Sequence, residues 1–62
     1  MGIGDLIRNT RPSLGIPTGT VGLITGKHRI GRANKEYYIY DIQWVGRDAY
    51  GRRLARDLEV IG

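Results

Sequence analysis

Gly19-Thr20-Val21-Gly22-Leu23-Ile24-Thr25-Gly26 sets two apolar pairs back to back, each bracketed by glycine. β-Branched and apolar residues broken by single glycines predict a bent strand, from Thr18 to Gly26. Gly22 sits where the sheet must curve or bulge and where a side chain would be in the way. A strand of this kind belongs to a small, strongly curved sheet, and the rest of the chain is read outward from it.

On its N-terminal side, Ile3-Gly4-Asp5-Leu6-Ile7-Arg8 alternates, which predicts a strand over residues 4–10. Residues 9–17 contain Pro12, Ser13, Gly15 and Pro17. Two prolines that close together exclude a central strand or a helix interior, so this is a loop with Leu14 or Ile16 folded back over the core. On the C-terminal side, residues 27–35 carry four cations, Gly31 and Asn34, with only Ile30 and Ala33 as apolar content. That composition predicts a long, exposed hairpin connection. Glu36-Tyr37-Tyr38-Ile39-Tyr40-Asp41-Ile42-Gln43-Trp44-Val45 has the strongest β propensity in the chain. Tyr38, Tyr40, Ile42 and Trp44 share one face of it; Tyr37, Ile39, Asp41, Gln43 and Val45 share the other. A turn over residues 46–51, a strand over 52–55, a single 3₁₀ turn at Arg56-Asp57 and a closing strand Leu58-Glu59-Val60-Ile61 complete the chain. The expected core is Ile7, Val21, Ile24, Leu58 and Val60, with one phase of the aromatic strand, Ile39 or its neighbours.

These 62 residues give a single domain, 1–62, of a size that buries only roughly 60% of its unfolded surface. Cysteine is absent, so packing alone must hold the fold. No apolar run reaches membrane-spanning length and the N-terminus lacks the pattern of a signal peptide, from which a cytoplasmic protein is expected. The net charge is +4 and the pI about 10.0. Six basic residues (Arg8, Arg11, Arg47, Arg52, Arg53, Arg56) balance six acidic ones (Asp5, Glu36, Asp41, Asp48, Asp57, Glu59), so the excess lies wholly in Lys27, Arg29, Arg32 and Lys35.

The Gly4-Asp5-Leu6-Ile7-Arg8 opening, the Gly19–Ile24 strand and the Leu58-Glu59-Val60-Ile61 close after a polar turn together resemble the SH3-like barrel families. The middle stretch is similar to the KOW motif of ribosomal and transcription-elongation proteins, with Val21 and Ile24 as its spaced apolar positions. It is equally similar to the photosystem I subunit PsaE. The resemblance implies an all-β, five-stranded antiparallel SH3-like barrel with a short 3₁₀ turn before the last strand. Type II dihydrofolate reductase also resembles this layout, but its Val-Gln-Ile-Tyr run is replaced here by Arg52-Arg53-Leu54-Ala55, so its substrate-binding elements are missing.

Catalysis has little to rest on: one histidine, no cysteine and no paired carboxylates. No catalytic residue, metal ligand or cofactor is assigned, and His28 reads as a solvated loop histidine. The expected function is that of a small non-catalytic binding module that contacts nucleic acid weakly and without sequence preference. Lys27, Arg29, Arg32, Lys35 and Tyr37 make the contact, with Arg47, Arg52 and Arg53 as a secondary basic patch. The alternative is a protein-interaction or assembly module that uses the aromatic strand 37–45. The surplus of aromatic and apolar side chains on that strand favours a homodimer over a monomer.

Overall fold

A computed structural model describes residues 1–12, 15–47 and 50–62, and only the backbone of Arg32. Strands form at Leu6–Asn9 (β1), Val21–Arg32 (β2), Lys35–Trp44 (β3), Tyr50–Leu54 (β4) and Leu58–Val60 (β5), with a 3₁₀ turn at Ala55–Asp57. They make one antiparallel sheet in the order β4-β3-β2-β1-β5. The expected all-β architecture and the 3₁₀ turn before the last strand are present. The outermost strands, β4 and β5, are not joined by backbone hydrogen bonds. Among the described residues no helix is long and apolar enough to cross a membrane.

The register explains which side chains face inward. Ile7 lies opposite Gly22 and Arg8 opposite Val21, while Gly22 faces Trp44 and Ile24 faces Ile42. Residues directly opposite share a face, and strand side chains alternate with a period of two. Gly22 and Ile24 therefore point inward and Val21 outward with Arg8. The expectation that Val21 and Ile24 both enter the core fails on this periodicity, and Val21 is only half-buried. A Cβ on Gly22 would fall inside contact distance of Ile42 Cγ2 and 3.0 Å from Trp44 Cε3, so glycine lets these side chains cross β2.

The core consists of Ile7, Ile16, Ile24, Tyr40, Ile42, Trp44 and Leu58. On β3 the inward phase is that of Tyr40, Ile42 and Trp44, and Ile39 is half-buried on the opposite face. Val60, expected inside, is 47% exposed. It pairs with Ile7 but ends a three-residue strand at the sheet edge, where no further strand pairs with it among the described residues. Ile16 folds back over the core as expected; Leu14 lies outside the described residues. Asn9, only 1% exposed, pins that loop. Its carbonyl accepts from the Gly19 N–H at 2.8 Å, its N–H donates to Thr20 O at 2.9 Å, and its Nδ2 reaches Ile16 O at 3.4 Å.

The largest departure from expectation is in residues 27–35. They are not a long loop: β2 runs on to Arg32, β3 starts at Lys35, and only Ala33 and Asn34 turn the chain. Both have positive φ, 50° and 66°, as the tight two-residue hairpin turn that matches strand twist requires. Within this ribbon the register slips by one, from Ile24 opposite Ile42 to Gly26 opposite Asp41, leaving Thr25 as the extra residue of a β-bulge.

Candidate nucleic-acid interface

The bulge at Thr25 decides where the cations go. Beyond it Lys27 lies opposite Tyr40 and Arg29 opposite Tyr38, so both cations share the face that continues into the core. His28 lies opposite Ile39 and Ile30 opposite Tyr37 on the other face, with Lys35 in the same phase. Arg32 is the register partner of Lys35 next to the turn. Strand alternation thus divides the cluster that looked continuous in the sequence between two faces.

On the first face Lys27 Nζ stands 4.5 Å from the centre of the Tyr38 ring, and Arg29 Nη2 is 2.9 Å from Glu36 Oε1. Both arrangements are solvated. The Arg29 and Glu36 side chains are more than half exposed, and such pairs contribute at most about 1 kcal/mol, so an incoming anion competes with Glu36 readily. Tyr37, the aromatic expected to assist binding, is exposed on the opposite face beside Ile30. The tyrosine beside a cation is Tyr38, a diagonal neighbour that only the register reveals.

On the second face Asp41 is shared. Its Oδ2 lies 2.7 Å from His28 Nε2, and its Oδ1 accepts from Arg52 Nε at 2.8 Å. The His28 hydrogen bond, with help from the charge of Arg52, holds the Asp41 carboxyl below its ordinary value even though partial burial works the other way. Gly26, directly opposite, leaves room for that carboxylate: a Cβ there would be 2.6 Å from Asp41 Oδ2. His28 is therefore tied to a carboxylate on β3, where the sequence reads as a solvated loop histidine. Further along the same face Ile30, Tyr37, Ile39, Leu54 and Arg56 line a shallow groove of about 330 Å³.

The secondary patch does not assemble. Arg47 follows β3 at the end remote from the turn and donates from Nη1 to Gly15 O at 2.7 Å. Arg52 pairs with Asp41, on the face opposite Arg53. Arg53 lies opposite Tyr40, on the face of Lys27, with its guanidinium 5.7 Å from the Trp44 ring centre and Nη1 donating to Arg52 O at 2.7 Å.

The distal half of the hairpin extends past the strands that pair with it, with the corner at Leu54–Arg56 bordering Glu36, Tyr37 and Tyr38. β4 pairs with β3 only from Ile39 onward, and β1 pairs with β2 only over Val21–Leu23. Residues 29–32 and 35–38 have no strand beside them except each other among the described residues. Compared with protein-family models, curated proteins and solved structures, the chain matches none.

Proposed function

We propose that the chain is an SH3-like barrel that works as a non-catalytic binding module and engages nucleic acid through the basic hairpin of Lys27, Arg29, Arg32 and Lys35. The observation that carries this reading is that the segment with all the excess positive charge is a two-stranded ribbon whose outer half projects beyond its neighbours on both edges. A projecting, cationic element lets phosphates approach from several directions without desolvating the body of the protein. The strand order β4-β3-β2-β1-β5 and the 3₁₀ turn before β5 support the SH3-like and KOW-like layout, although the layout does not by itself choose a ligand.

The test is binding of a labelled oligonucleotide between about 50 and 200 mM salt. Affinity is expected to fall steeply, and neutralising all four cations to flatten the log–log slope by about 0.9 per lost phosphate contact. Absence of binding at the lowest salt overturns the reading.

A second reading is favoured by the groove of Ile30, Tyr37, Ile39 and Leu54, an apolar strip on an outward face. In that reading the strand 37–45 docks a protein, a second copy of this chain included. It predicts salt-tolerant association that is lost with Tyr37→Ala and retained with Lys27→Gln. Sedimentation equilibrium of the protein alone checks the homodimer.

A further inference from the structure

The ribbon's two faces, taken together, discriminate among nucleic acids. A single strand is held on platforms of aromatic side chains along which successive bases stack. Here the two exposed tyrosines of the ribbon, Tyr37 and Tyr38, point to opposite faces, and the ammonium of Lys27 already lies near the Tyr38 ring. No two-ring platform forms on either face of the ribbon.

A duplex groove asks for something different: a narrow element with cations on both sides, because phosphates line both walls. The ribbon has Lys27 and Arg29 on one face, with Glu36 beside Arg29, and Lys35 on the other, with Arg32 beside the turn. Its dimensions also fit. The four residues of each strand that pair with no third strand extend roughly 13 Å, more than the roughly 8.5 Å depth of the B-form major groove. A ribbon with side chains on both faces is roughly 10 Å thick, within that groove's width of about 12 Å. The major groove of an RNA duplex is too narrow and deep to admit it. The turn residues Ala33 and Asn34, both exposed, would then face the groove floor.

We infer that the nucleic acid this chain takes is B-form duplex DNA, with residues 29–38 entering the major groove tip first and the two faces of the ribbon each meeting one phosphate wall. The inference rests on the nucleic-acid reading above and narrows it. The experiment compares three labelled probes of one sequence by fluorescence anisotropy at low salt: a DNA duplex of about two helical turns, its single strand, and the matching RNA duplex. Binding to the DNA duplex is expected to be at least about tenfold tighter than to the other two. Lys27→Gln and Lys35→Gln, exposed substitutions on opposite faces, are each expected to reduce the salt slope on duplex DNA by about 0.9. Equal or tighter binding of the single strand or the RNA duplex overturns the groove inference and leaves the nucleic-acid reading standing. A slope change in only one of the two variants overturns the two-wall grip. If none of the three probes binds, both readings fall.

Discussion

His28 Nε2 and Asp41 Oδ2 meet at 2.7 Å across the β2–β3 hairpin, a pairing that exists only because the bulge at Thr25 puts Gly26 opposite Asp41. Asp41 is held below the ordinary carboxylate value, chiefly by this hydrogen bond and then by the charge of Arg52. A carboxyl whose folded pKa is depressed contributes stability that is present above its unfolded pKa, about 4, and is lost as pH falls through the folded value. Acid is therefore expected to weaken the fold from about pH 4 downward. Asp41→Asn should remove part of that dependence and lower stability near neutrality. Urea midpoints at near-neutral pH and in acid, for both proteins, check it: an unchanged difference between the two conditions in Asp41→Asn would count against the assignment.

Two glycines of β2 should behave oppositely. Gly22→Ala places a methyl against Ile42 and Trp44, and overpacking of this kind costs about 1–3 kcal/mol, a large fraction of what so small a domain has. Gly31→Ala meets nothing within 4 Å and needs no positive φ, so it should be neutral or mildly stabilising, within about 0.5 kcal/mol. Thermal unfolding of the two variants gives the contrast directly.

Side-chain phase makes a similar distinction among the aliphatic residues. Ile24 and Ile42 are 1% and 0% exposed, and truncating either to alanine should cost about 2–5 kcal/mol. Val60→Ala, at the open edge, should cost less than about 0.5 kcal/mol, with Val21→Ala between them. Denaturant titration ranks all four.

Ala33 pays for its position in the turn. A φ of 50° presses a Cβ toward the next carbonyl, at a cost of roughly 1–2 kcal/mol that glycine avoids. Ala33→Gly is expected to raise stability by up to about 1 kcal/mol once the extra freedom of the unfolded chain is deducted. A lower melting temperature in this variant would contradict the turn geometry.

The tight packing at Gly22 was legible from glycine between apolar neighbours. The inward phase of β3 was not, because both faces of that strand carry aromatic or apolar residues, and only the fold decides for Tyr40, Ile42 and Trp44 over Ile39. The extension of β2 to Arg32 was not legible, for a physical reason. The outer half of the ribbon pairs with no third strand and its side chains are exposed, so Arg29 and Gly31 carry no apolar alternation and the segment reads as loop. The contacts of the candidate site were hidden for a related reason. Arg29 with Glu36, Lys27 with Tyr38 and His28 with Asp41 are cross-strand relations set by register, and a single bulge residue reassigns every one of them.

The sheet order also bears on the sequence of assembly. β2 and β3 are joined by two residues, whereas the pairing of β1 with β5 brings Arg8 to Glu59 across 51 positions of chain. Closing the first loop costs little entropy; closing the second waits until the intervening strands have shortened the effective gap. The hairpin is thus expected to form early and the β1–β5 contact late. Changes at Ala33 are expected to act mainly on the folding rate and changes at Leu58 mainly on the unfolding rate, as a chevron analysis of the two variants would separate.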